Sequence, residues 1–156
     1  HSLTGGSGDD VLFGGEGNDS PNGGAGNDMI YAGSGDDALA GSAGDDYLDA
    51  GEGNEWMSGG GGADNLTGGL GPDTFVYAPK AGADTINDFD AWAADGQDFL
   101  DLAGLGVTSG DFASRVTIID TGNDTVVRID GSIFITLKNV TGDGDNSISA
   151  ADFILG

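Results

Sequence analysis

Carboxylates recur along this chain at a fixed interval of nine residues: Asp10, Asp19, Asp28, Asp37, Asp46, Glu55, Asp64 and Asp73. Two positions after them stand Leu12, Pro21, Ile30, Leu39, Leu48, Met57, Leu66 and Phe75, all but the proline large and apolar. A small residue opens every unit: Gly5, Gly14, Gly23, Ala32, Gly41, Ala50, Gly59 and Gly68. Eight consecutive units thus vary one pattern, G-G-x-G-x-D-x-U-x with U apolar, from residue 5 to residue 76. The chemistry such a pattern supports is capture of a hard cation. Glycine-rich turns bring backbone carbonyls close to an ion, and one carboxylate per turn supplies charge. Ca²⁺ takes about six to eight oxygens, many of them carbonyls, and matches this donor set.

The elements that must position these groups follow from the period. Positions 7 to 9 read as a very short strand whose middle residue points inward, and the glycine-rich remainder reads as a turn. Two units then make one coil, and stacked coils make a parallel β-roll of two facing sheets flanked by two columns of turns. Asp10, Asp28, Asp46 and Asp64 line one column; Asp19, Asp37, Glu55 and Asp73 line the other. Gly14, Glu16, Gly23, Ala25, Gly41, Ala43, Gly59 and Gly61 are the candidate carbonyl donors. Gaps between stacked turns, with the two ends, lead us to expect about six to eight Ca²⁺ ions. Departures are few. Ala32 and Ala50 replace a first glycine, Ser42 a second one, and Glu55 is one methylene longer than aspartate. Pro21 has no N–H to donate, so the coil near the N-terminal end should be the least regular.

Residues 5–76 resemble the RTX (repeats-in-toxin) calcium-binding nonapeptide family. The segments DTFVY at 73–77, ADTINDF at 83–89 and DFLDL at 98–102 are similar to the cap that follows such repeats. The ending ADFIL at 151–155 resembles the acidic-then-apolar tail of type I secretion substrates. The resemblance implies a secreted bacterial protein, an exporter as partner, and calcium as the ligand. It divides the chain into a roll at 1–76 and a β-rich cap at 77–156.

Composition agrees. The net charge is −23, and 22 of the 32 glycines fall within residues 5–76, where Lys and Arg do not occur. About seven Ca²⁺ ions would cancel more than half of that charge. Without them stacked carboxylates repel, and glycine makes ordering costly, so metal binding and folding should be one event. The chain has no cysteine, and its single His1 is the first residue. No zinc-protease helix, no G-x-S-x-G elbow with a histidine partner and no Asp-Pro bond occurs, so we expect a non-catalytic module. Nucleic acid is disfavoured by the charge, and no apolar run is long enough to insert in a membrane. The abrupt start, with Leu3 in strand phase, suggests a C-terminal piece of a longer protein.

Beyond residue 77 the period is lost. Strands are expected at 85–89, 99–102, 115–119, 125–129 and 132–137, as a β-meander or small sandwich, with a helical turn at 91–94. Trp92, Phe89, Phe99, Phe112 and Phe134 are candidates for its core. Asp88 and Asp98, with Asp90 and Asp101, are candidates for an end-of-roll calcium site. Residues 141–152 resemble an EF-hand-type loop, with Asp143, Asp145, Ser147 and Asp152 at ligand phases. Thr141 and Asn146 break that motif and favour a plain acidic turn. A second functional reading is polysaccharide binding, by resemblance to the R-modules of alginate epimerases. Lys80, Arg115, Arg128 and Lys138 would be the cations available for it.

Overall fold

The computed structural model describes residues 1–91, 96–140 and 147–156. Most of the helical turn expected at 91–94, Trp92 included, and the front of the acidic segment at 141–152 lie outside them.

Eight strands occupy the repeats: β1 (Ser2–Ser7), β2 (Val11–Glu16), β3 (Ser20–Ala25), β4 (Met29–Ser34), β5 (Ala38–Ala43), β6 (Tyr47–Glu52), β7 (Trp56–Gly61) and β8 (Asn65–Leu70). Each is six residues long, not the three expected. Extended pairing continues through the small first residue and the second glycine of the next unit, so that Gly33 pairs with Gly15 and with Gly51. Odd strands build one sheet and even strands the other, every neighbour parallel and offset by one eighteen-residue coil.

Two residues per unit face inward, U and the first residue of the following unit. Ile30, Ala32, Leu39, Leu48, Ala50 and Met57 are fully buried and form a stack between the sheets. The second position sits at positive φ, 114° at Gly33 and 114° at Gly51, and a Cβ there would strike the backbone of the coil before it. Ser42 holds this conformation at φ 85° without being glycine. Near the N-terminal end, pairing of β3 with β5 begins only at Asn22 opposite Ala40, past Pro21.

Both sheets run without a break across residue 76. The strands β9 (Thr74–Val76), β10 (Ala83–Ile86) and β11 (Phe99–Asp101) add to them in repeat register, Ile86 opposite Leu66 and Leu100 opposite Phe75. A 3₁₀ turn (Ala103–Leu105) and the single turn α1 (Phe112–Arg115) lead into β12 (Val116–Asp120), β13 (Thr125–Ile129) and β14 (Ile133–Leu137). This antiparallel meander forms as expected but does not close into a sandwich of its own. Its last strand, β14, pairs parallel with β10 and prolongs the eight-stranded sheet. A second 3₁₀ turn (Ala150–Asp152) and β15 (Phe153–Ile154) complete the seven-stranded sheet against β11.

The cap core differs from expectation in two of the described aromatics: Phe99, half-buried beside inward-facing Leu100, lies outside the core cluster, and so does Phe134. Phe89 is buried, and Phe112 packs edge-on to Phe153 at 4.9 Å. Phe134 instead points outward, 39 % exposed beneath the Arg128 guanidinium. Its strand alternates Ile133, Ile135 and Leu137 inward, which puts Phe134 on the opposite face.

Candidate metal centre

The sixth-position carboxylates are drawn inside the turns by backbone donors. Asp28 Oδ1 accepts from Asp10 N–H at 2.8 Å, Asp46 from Asp28 at 2.8 Å, and Asp64 from Asp46 at 2.9 Å. In the other column Asp37 accepts from Asp19 at 2.7 Å, and Asp73 from Glu55 at 3.0 Å. Each column is therefore a ladder in which one carboxylate oxygen bonds the coil before it. His1 enters the second ladder, its amino group and Nδ1 both meeting Asp19 Oδ1.

The second oxygen has no donor. Oδ2 of Asp10, Asp19, Asp28, Asp37, Asp46, Asp64 and Asp73, and both carboxylate oxygens of Glu55, are buried without a hydrogen-bond partner. A charged oxygen left so is costly unless a proton or cation meets it. Burial accordingly pushes Asp64 up to about 6, with Asp46 beside it adding to the effect. Asp37 and Asp46 are raised by burial too. Glu55 and Asp73, facing each other across one gap, are both raised, burial being the main cause.

Backbone carbonyls share the same space. A Cβ placed on Gly5 would lie 2.6 Å from Asp10 Oδ2 and 2.6 Å from Gly23 O; one on Gly14 would meet Ala32 O at 2.5 Å and Asp19 Oδ2 at 2.6 Å. The first-position turn is thus an oxygen-lined cradle, and Gly59 O occupies the matching place opposite Gly41. Ala32 O was not among the expected donors, although its position in the unit is that of Gly23. Ala25, Ala43 and Gly61 carbonyls each accept one N–H, from Gly8 (2.6 Å), Gly26 (2.9 Å) and Gly44 (2.9 Å). Gly14, Glu16 and Gly41 hold equivalent first and third positions of their units.

Among the described residues no three His, Cys, Asp or Glu side chains converge on one point. A cation here has to be held by one or two carboxylates and several carbonyls. That donor set, all oxygen and, apart from His1 at Asp19, without a competing cation among the described residues, fits Ca²⁺.

The cap continues the ladders further than expected. Asp84 accepts from Asp64 N–H at 3.0 Å, and Asp98 from Asp73 N–H at 2.9 Å. Burial pushes Asp84 up to about 7 and Asp98 to about 8. Asp84 was missed, yet D-T-I-N at 84–87 carries the carboxylate-x-apolar signal of the repeats, two residues out of phase. Asp88, Asp98 and Asp101 do not gather into one end site, because backbone donors draw them to separate places. Asp88 clamps Gly68 and Gly69 N–H, Asp98 also takes Asp90 N–H, and Asp101 caps a turn at Ala103. Asp152 likewise serves a capping box with Ser149 and accepts from Gln97. A further ladder escaped sequence reasoning. Fifth-position Asp9, Asn18, Asn27, Asp36 and Asp45 each accept from the backbone N–H eighteen residues on, tying the exposed edges of the turns together.

The family described as RTX calcium-binding nonapeptide repeat (4 copies) matches residues 2–21, 22–54 and 40–75. Residues 2–75 are RTX calcium-binding nonapeptide repeats. RTX repeats bind Ca²⁺ and are not themselves catalytic, and proteins that carry them are generally secreted. The RTX chain is similar in structure to the AlgE6R3 and AlgE6R2 subunits of the Azotobacter vinelandii mannuronan C5-epimerase. Both are 26% identical, with TM-scores of 0.57 and 0.56; the matches cover 97% and 99% of this chain, and 81% and 92% of those. The extracellular lipase LipA of Serratia marcescens shares the fold, with a TM-score of 0.50 at 19% identity, over 96% of this chain and 38% of the lipase. No curated protein sequence matches the RTX chain significantly. No helix among the described residues is long and apolar enough to cross a membrane.

Proposed function

We propose that this RTX module folds when calcium reaches it, and so exports in one state and works in another. The observation that carries the reading is the double line of buried, donorless carboxylate oxygens. Asp10, Asp19, Asp28, Asp37, Asp46, Glu55, Asp64 and Asp73 are the charged ligands, with carbonyls of the first and third positions completing each site. Bound calcium supplies the positive charge that the repeat half, with fourteen carboxylates and no Lys or Arg, lacks. In a low-calcium cytosol, repulsion along each column and the entropy of twenty-two glycines keep the coils open, and an open chain can thread a type I exporter. Outside the cell, binding to the folded state alone drives folding. The parent protein is stabilised where it acts.

Far-UV circular dichroism during a calcium titration, with magnesium as control, tests the proposal. The expected result is a cooperative coil-to-β transition with calcium only, saturating at about six to eight ions per chain. A chain already fully β-structured in chelator would overturn it.

The likeness to epimerase R subunits along nearly the whole chain supports a second reading, contact with a polysaccharide. Its charges oppose a polyanion. Arg115 is held by Asp111 and Asp130, Lys138 by Asp124, and Arg128 lies over Phe134. Titrating the calcium-loaded module with an oligomannuronate should give no saturable binding; micromolar binding would establish this reading instead.

A further inference from the structure

The two turn columns are built from the same repeat but are not equivalent. In the first, every unit opens with glycine (Gly5, Gly23, Gly41, Gly59) and the ladder is unbroken from Asp10 to Asp84. In the second, Ala32 and Ala50 are fully buried, and each puts a methyl group where the first column's glycines leave room for the Oδ2 of the sixth-position aspartate. The second ladder is also broken. Asp37 N–H finds no acceptor on Glu55, because neither Glu55 oxygen accepts a hydrogen bond.

The extra methylene explains where that carboxylate goes. Sixth-position aspartates turn back toward the first residue of their own unit, as Asp10 does toward Gly5. The Glu55 carboxylate instead lies against Gly53, the fourth position, at the mouth of the turn. It is 2 % exposed and donorless, whereas the aspartates of the six glycine-opened units lie against their first residue.

We propose that the columns fill with calcium in sequence, and that Ala50 and Glu55 make the gaps on either side of them the last to fill. This rests on the calcium reading above and adds an order to it. Folding then has two stages. The regular column closes the coils first, and the Ala50–Glu55 turn completes the second column at higher calcium. The module would distinguish a partly from a fully calcium-replete exterior.

Trp56 follows Glu55 directly and is 48 % exposed, a local reporter of that turn. The chain has two tryptophans, so Trp92→Phe leaves Trp56 as the sole source of tryptophan emission. In this background, Trp56 emission and far-UV ellipticity are followed in one calcium titration of the full chain. The emission midpoint is expected at about tenfold higher calcium than the ellipticity midpoint, the size of one lost charge-assisted contact. Ala50→Gly with Glu55→Asp should bring the two midpoints together without moving the ellipticity midpoint upward. Asp46→Glu, the same lengthening in the first column, should raise the ellipticity midpoint instead. Coincident midpoints in the unsubstituted sequence, or an offset that survives the double substitution, overturn the sequential filling while leaving calcium-driven folding intact. Loss of any calcium response by both probes would overturn the calcium reading itself.

Discussion

The two halves of this chain share both sheets and differ in what holds them. From residue 1 to residue 76 the interior is a single file of side chains, flanked by turns full of glycine and buried negative charge. From residue 77 onward the interior is broader: Phe89, Leu102, Val107, Val127, Ile129, Ile135, Leu137 and Phe153 meet between the sheet ends. All four Lys and Arg residues are there too, three of them already matched to carboxylates or an aromatic ring. The lesson is about charge. The meander of the cap meets Asp111, Asp124 and Asp130 with its own Arg115 and Lys138. Among the described residues the cap buries carboxylates only where Asp84 and Asp98 prolong the ladders and Asp152 closes a capping box. The repeats bury theirs and depend on a cation from outside.

Removing calcium should separate the halves most sharply. In chelator at neutral pH, amides of β2 to β8 are expected to exchange at rates near those of an unfolded chain. Amides of the β12–β14 meander should keep measurable protection, since its bonds are local and its buried face is apolar. Hydrogen exchange read by mass spectrometry resolves the two. Equal loss of protection in both halves would mean that the cap has no stability apart from the roll.

Core truncation should sharpen the contrast at the next level. Leu48→Ala and Ile129→Ala each remove a fully buried side chain and should each cost about 2–5 kcal/mol. They should be felt differently. Leu48→Ala raises the calcium needed for folding, because that coil folds only with its ions. Ile129→Ala lowers the melting temperature of the loaded module and shifts the calcium midpoint much less. A calcium titration and a melt on each variant decide it.

Acid should act with opposite sign on the carboxylate ladders, which run on into the cap through Asp84 and Asp98, and on the ion pairs of the meander. Asp64, Asp84 and Asp98, pushed up to about 6, 7 and 8, hold more protons folded than unfolded between about pH 4 and pH 8. Stability of the metal-free fold therefore falls as pH rises through that window and is regained on acidification. Asp111, Asp124 and Asp130 in the cap are lowered by hydrogen bonds and by Arg115 or Lys138. Their contribution is present at neutral pH and is lost as pH falls below the ordinary carboxylate value of about 4. In chelator, lowering the pH from 8 to 5 should thus increase β-structure along the ladders, from the repeats through Asp84 and Asp98, protons standing in for calcium, with no gain in the β12–β14 meander. A β-signal that rises with pH would refute the buried-carboxylate account.

The repeats were legible because one period carries both the chemistry and the stacking: Asp28 predicts Asp46 as surely as Ile30 predicts Leu48. Strand length was not, since glycine gives no strand signal of its own and pairing through Gly33 or Gly51 is imposed by the neighbouring coils. Asp84 was hidden by a longer connection, 20 residues from its partner in place of 18, while Asp98, a candidate for an end site, continues a ladder across 25. The pairing of β10 with β14 joins residues such as Ile86 and Leu137 across a long connection, and no local pattern announces it. The second column's defect, by contrast, was visible in the sequence as Ala32, Ala50 and Glu55. Only the geometry shows that the longer side chain changes turn position and breaks the ladder.

The smallest effect concerns backbone strain, and it too divides the halves. In the cap, Asp130 and Asn139 adopt φ 50° and 59°, the left-handed conformation that Asn and Asp tolerate in turns. Ser42 in the roll is held at φ 85°, where its seven counterparts are glycine at φ 104° to 114°. Its hydroxyl donates to Asn22 Oδ1 at 3.1 Å, an exposed bond of little net worth. Ser42→Gly relieves the strain and gives up some unfolded-state restriction, for a net gain of about 0.5 kcal/mol. In the calcium-loaded module that gain should raise the melting temperature by about 1–2 °C. Asn139→Gly should gain nothing measurable, since asparagine is already at ease there. If Ser42→Gly destabilises instead, the serine is kept for its bond to Asn22, and the strain at position 42 is smaller than its dihedral angle implies.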